Sequence, residues 1–104
     1  MTTLSTSRIG DLVLKVRSKN AGPFWVTIDV FCDRRDVFDH LVSDLSTERV
    51  AALYKVAPDQ LKRFDIPDLR VIKFSLPRPV VQGSASDRDM HGAQYAALLE
   101  ELTL

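Results

Sequence analysis

The residues best equipped for chemistry fall in two stretches. The first is Arg17-Ser18-Lys19-Asn20-Ala21-Gly22-Pro23, which joins two cations, a hydroxyl and an amide to a Gly-Pro break ahead of an apolar run. Arg17 and Lys19 supply positive charge, and Gly22 lets the backbone approach a bound group, so Ser18, Asn20 and the peptide groups around Gly22 form a candidate cradle for a carboxylate or phosphate. The alternative is a helix C-terminus, with basic residues complementing the dipole and a Gly-Pro turn ending it. The stretch does not match the GxxxxGK[ST] phosphate-binding pattern, so no nucleotide function follows from it. The second stretch runs from Arg78-Pro79 through Gly83 to Gln94 and places Asp87, Asp89 and His91 at alternate positions. Carboxylate and imidazole at that spacing are candidates for proton transfer or metal ligation; they suit equally the N-cap and first turn of a helix.

The remaining titratable side chains narrow the chemistry. His40, the other histidine, falls on the polar side of a helical pattern, so a self-contained histidine-rich metal site is not expected. Cys32, the single cysteine, sits in an apolar run with no histidine nearby and reads as a small buried hydrophobe rather than a nucleophile. No cofactor or metal is expected. Asp29 and Lys73 lie mid-strand on mixed faces, where they form either a cross-sheet ion pair or part of a solvated surface.

Positioning these groups falls to one domain. A chain of 104 residues, 45% hydrophobic, can bury a modest core but not two. Fourteen basic residues balance fourteen acidic ones, which argues against a global field for nucleic acid or an anionic membrane. A lone cysteine, an N-terminus without an apolar h-region and no run near the roughly 20 apolar residues of a membrane span together predict a reduced, cytoplasmic, soluble protein.

Ile9, Leu12, Val13 and Val16 recur at helical spacing after Ser7 and predict a short helix over 8–18, with a strand through Leu12, Leu14 and Val16 as the rival. Gly22, or Asn20, supplies a left-handed residue before Pro23. Phe24 to Cys32 alternates as a strand, with Val26, Ile28 and Val30 on one face and Trp25, Thr27, Asp29 and Phe31 on the other. Asp33 is placed to cap a helix carrying Val37, Phe38, Leu41 and Val42, and Ser46 a second carrying Val50, Leu53 and Tyr54. Pro58 opens a third helical piece ending near Phe64. Leu69 to Leu76 is a second strand, Val80 and Val81 a short edge strand, and Met90 to Leu99 a final helix. This order predicts an α/β (α+β) two-layer sandwich, a short mixed sheet covered on one side by helices, whose long helical crossover is ample for a parallel connection.

Arg17 to Trp25, Leu76-Pro77-Arg78-Pro79, and Asp87 and Asp89 leading to His91-Gly92-Ala93-Gln94 resemble the AtuA-related small proteins, a bacterial family of about 100 residues, across nearly the whole chain. A more distant similarity is to the C-terminal domain of the large acyclic terpene utilisation (AtuA) proteins. There an RSGDKG loop precedes an apolar strand; here Lys19-Asn20-Ala21 replaces Gly-Asp-Lys.

The resemblance implies a small subunit or accessory domain of a two-component catabolic enzyme acting on branched or hydroxylated carboxylic acids or their coenzyme A thioesters. Its implied partner is an AtuA-like large subunit, with a homo-oligomer as a further option and neither nucleic acid nor membrane involved. On that reading Arg17, Ser18, Lys19, Asn20, Gly22, Arg78 and Gln94 bind substrate, and Asp87, Asp89 or His91 transfers protons. The alternatives are a non-catalytic module that stabilises the large partner and a free-standing small-molecule binding protein.

Overall fold

A computed structural model describes residues 7–78 and 94–104. Its elements, in chain order, are α1 (Ile9–Leu12), β1 (Lys15–Asn20), β2 (Trp25–Phe31), α2 (Arg35–Asp44), α3 (Thr47–Tyr54), a 3₁₀ turn (Pro58–Gln60), β3 (Lys62–Ile66), β4 (Val71–Pro77) and α4 (Gln94–Glu100). The expected α+β architecture is present: one four-stranded sheet with helices on one side.

The strand order is β1-β2-β4-β3, and every neighbouring pair is antiparallel, not mixed as the crossover suggested. The difference comes from β3. The helical crossover leaves β2 and delivers the chain to β3, which runs in the same direction as β2; the β3–β4 hairpin then folds β4 back between them. The expected parallel relation between the strands Phe24 to Cys32 and Leu69 to Leu76 is therefore not found, because β2 and β4 are antiparallel neighbours. A continued helical piece to Phe64 was the expectation for this region, and the chain instead leaves its 3₁₀ turn to form β3.

The predicted helix over 8–18 is likewise divided. Ile9 buries itself in α1, whereas Val16 pairs in register with Val30 as part of the β1–β2 hairpin. Strand pairing satisfies the backbone of residues 15–20 while still burying Val16, so tertiary context overrides the local helical period. Gly10 matters to the placement of α1. A side chain there would meet Glu100 of α4, with Cβ 3.1 Å from Glu100 Cβ and 3.2 Å from its carbonyl oxygen.

The core lies between the sheet and the helices. Val26, Ile28 and Val30 of β2 and Ile72, Phe74 and Leu76 of β4 are fully buried against Leu41, Leu45, Val50 and Leu99. A side chain of this kind gains about 1.5–3 kcal/mol on full burial, so the two central strands contribute strongly to stability. Ser46 caps α3 as expected, accepting a hydrogen bond from the Arg49 amide at 3.1 Å. Asp33 does not cap α2. It takes a left-handed conformation (φ 69°) as the chain leaves β2, and Arg34 occupies the cap position, its guanidinium 2.7 Å from Asp36 in the first turn.

Among the described residues no helix is long and apolar enough to cross a membrane. The expected edge strand at Val80 and Val81 and the start of the last helix at Met90 fall outside the described residues.

Candidate functional site

Residues 17–20 are not a loop. They lie in β1, and the alternation of a strand divides them between the two faces of the sheet. Val16, Ser18 and Asn20 share the face of Val30, Ile28 and Val26, beneath the helices; Arg17 and Lys19 share the opposite face with Asp29 and Thr27. The expected single cradle is thus two structures back to back.

On the helical side the polar residues fasten α4. The Ala96 amide, near the start of the described helix, donates to Ser18 Oγ at 3.0 Å, so a strand hydroxyl serves an amide near the helix start. Arg78, only 9% exposed, donates to Asn20 Oδ1 and lies over the Tyr95 ring with 5.9 Å from guanidinium carbon to ring centre. Tyr54 Oη donates to the Tyr95 carbonyl, and the two rings stack at a tilt with centroids 5.5 Å apart. Burial, reinforced by Tyr95, drives the Tyr54 phenol well above the usual tyrosine range and keeps it a donor.

The turn after β1 brings Arg78 to this place. Gly22 has φ 78°, the left-handed value expected before Pro23, and Ala21 N–H closes the turn onto the Trp25 carbonyl at 2.9 Å. Arg78 follows β4 at the same end of the sheet, its amide bonded to the Phe24 carbonyl at 2.8 Å. Arg78 and the start of α4 therefore adjoin the Arg17–Pro23 stretch, as sequence reasoning expected. Gln94 opens the described part of α4, whereas Asp87, Asp89 and His91 lie outside the described residues.

On the opposite face the side chains of Arg17, Lys19, Asp29 and Phe31 flank a cavity of about 100 Å³, which Ser18, between Arg17 and Lys19 in β1, also lines. Arg17 stands directly across from Asp29 in the β1–β2 register, and Lys73 flanks Asp29 from β4 with Nζ 3.6 Å from Oδ1. Of the two alternatives for Asp29 and Lys73, a solvated surface or a cross-sheet ion pair, the structure shows the ion pair. At that separation it is no hydrogen bond, so among the described residues buried Asp29 Oδ1 has no hydrogen-bonding partner, nor has Thr27 Oγ1 beside it. Two cations against one carboxylate leave this depression net positive.

Sequence reasoning missed two features. The first is the whole sheet face that no described element covers, on which Lys15, Lys62 and Phe64 join Arg17, Lys19 and Lys73; the signal lay in the residues opposite the buried set of each strand. The second is a larger cavity, about 290 Å³, lined by Asp11, Arg34, Asp36 and His40, in which His40 Nδ1 lies 2.8 Å from Asp44 Oδ2. The spacing of His40 and Asp44, one helical turn apart, was the available signal. Cys32 matches its expected role: buried, with its thiol pushed up to about 11 by loss of solvent, it stays protonated. Among the described residues no cluster of three or more histidine, cysteine or acidic side chains could hold a metal ion.

Comparison with curated proteins gives no match, and comparison with solved structures gives none. Comparison with family models matches residues 9–103 to the family described as Domain of unknown function (DUF4387). That match spans every described element from α1 to α4, and the chain belongs to this family.

Proposed function

We propose that the chain is the small subunit or accessory domain of a two-component catabolic enzyme acting on branched or hydroxylated carboxylic acids or their coenzyme A thioesters, with an AtuA-like large subunit as its partner. The observation that carries this reading is the cationic depression on the sheet face that no described element covers. Its volume of about 100 Å³ holds a carboxylate head group, whereas sites that enclose a whole small molecule span roughly 300–1,000 Å³. A second chain must then supply the walls around the rest of the substrate. Arg17 and Lys19 meet the carboxylate, and Asp29 keeps the pair oriented and limits their net charge.

Arg78, Ser18 and Asn20 act in this reading as positioning residues that hold β1 against α4. Their engagement within the chain also favours a second reading, a non-catalytic module that stabilises its partner. The two are separated by mixing the chain with the AtuA-like protein and assaying branched hydroxy acids and their thioesters, with Arg17→Ala and Lys19→Ala as variants. Direct carboxylate binding requires KM to rise about tenfold or more in each variant. Unchanged kinetics with an intact complex would leave the stabilising module as the function.

A further inference from the structure

The face of the sheet away from the helices combines charge and apolar surface in a way the composition hides. Reading across the register, β1 contributes Lys15, Arg17 and Lys19; β2 contributes Trp25, Thr27, Asp29 and Phe31. β4 contributes Pro77, Ser75, Lys73 and Val71, and β3 contributes Lys62, Phe64 and Ile66. Five cations thus face a single acid in a chain whose net charge is zero. Among the described elements none packs on this face, and Trp25 and Phe64 remain 39% and 49% exposed. The cations lie along the aromatic rings: Lys15 Nζ is 5.0 Å from the centre of Phe31 and Lys62 Nζ 6.0 Å from that of Trp25.

We propose that this face docks an acidic protein surface with an apolar centre, carried by the large partner subunit; the inference rests on the two-component reading above and assigns the surface that reading needs. Charge complementarity selects the occupant. A second copy docking face to face would set Lys15, Lys62, Lys73, Arg17 and Lys19 against their own kind, and like charges held together at an interface are unfavourable. A single-stranded nucleic acid would use the cations but leave Ile66 and Pro77 without stacking partners. A protein surface uses both sets. Apolar side chains cover Trp25, Phe64 and the half-buried Phe31 and Ile66, and acids meet the flanking lysines.

The test measures binding of the intact chain to the purified AtuA-like large protein by calorimetry at two salt concentrations. The variants are the pair Lys15→Glu with Lys62→Glu, the single Phe64→Ser, and Asp39→Lys on exposed α2 as the control. Circular dichroism melts verify folding, and Lys15→Gln with Lys62→Gln serves if the reversal unfolds the chain. The proposal expects wild-type binding that weakens with salt, a loss of at least about tenfold in both face variants, and an unchanged control. If wild type binds and the face variants bind equally well, docking lies elsewhere: the surface assignment fails and the two-component reading stands. If wild type does not bind the large protein, both fail, and concentration-dependent dimerisation or titration with a single-stranded oligonucleotide identifies the occupant that replaces it.

Discussion

Arg78 and Asn20 stand 58 residues apart in sequence and join through a guanidinium–carboxamide hydrogen bond at the end of the sheet where β1 turns into β2 and β4 ends. Because Arg78 is nearly buried, removing one of its partners weakens the compensation for its lost solvation. Asn20→Ala is expected to destabilise the fold by about 1–3 kcal/mol, read as a lower urea midpoint at unchanged slope. Arg78→Met, which removes the charge but keeps apolar bulk over Tyr95, should cost less than Arg78→Ala. An unchanged midpoint in Asn20→Ala would show that the pair does not hold the two segments together.

Gly22 offers a cleaner backbone experiment. Among the described residues no heavy atom would lie within 4 Å of a Cβ at this position, so Gly22→Ala meets no clash with them and tests the left-handed φ. The expected cost is about 1–2 kcal/mol, with Gly22→Asn closer to wild type because asparagine tolerates this conformation better. Equal melting temperatures for the alanine and asparagine variants would contradict that.

Burial of Cys32 makes stability depend on alkaline pH. Its thiol rises from 9.0 to about 11 on folding, so the unfolded chain loses the proton first and binds fewer protons between those values. Stability is therefore fully present below pH 9 and declines as pH rises toward 11, by up to about 2 kcal/mol. Cys32→Ala, although less stable at neutral pH, should lack this part of the decline. Parallel melts of the two proteins from pH 8 to 11 decide it.

The charge balance of the sheet depression predicts an opposite pair of effects on anion affinity. Asp29→Asn removes its only acid and should strengthen binding of a simple carboxylate several-fold, whereas Lys19→Gln should weaken it. Amide shifts of Lys19 and Phe31 during a titration with a branched hydroxy acid report both. Identical affinities in wild type and Asp29→Asn would place the carboxylate elsewhere.

The legibility of this fold varied with how directly each strand advertises its buried face. β2 and β4 were plain because Val26, Ile28 and Val30, and Ile72, Phe74 and Leu76, alternate without interruption. β3 was hidden because its pattern is inverted. Phe64 points to the open side, while Arg63 and Asp65 turn toward the helical layer, where Arg63 pairs with Asp65 at 2.9 Å and donates to the Leu45 carbonyl at 2.5 Å. Inward charges on an edge strand discourage a further strand from adding there, and they defeat a hydrophobic-pattern search. Missing β3 led directly to the expectation of a parallel connection between β2 and β4. The candidate site was legible as a set of residues but not as a geometry: assigning 17–20 to a helix end concealed the alternation that puts Arg17 and Lys19 on one side of the sheet and Ser18 and Asn20 on the other.

Residues near the two ends of the described chain are stitched together. Ile9 N–H donates to the Leu102 carbonyl at 2.9 Å, Leu104 N–H to the Ser7 carbonyl at 3.2 Å, and Arg8 pairs with Thr103 in an isolated antiparallel bridge. A backbone arranged this way is almost a closed ring. Linking residues 7 and 104 through a short glycine-rich connector and reopening the ring at the exposed Pro67–Leu69 turn would preserve every strand pairing. The same proximity lets the unit sit inside a surface loop of a larger polypeptide, leaving and re-entering its host at nearly one point.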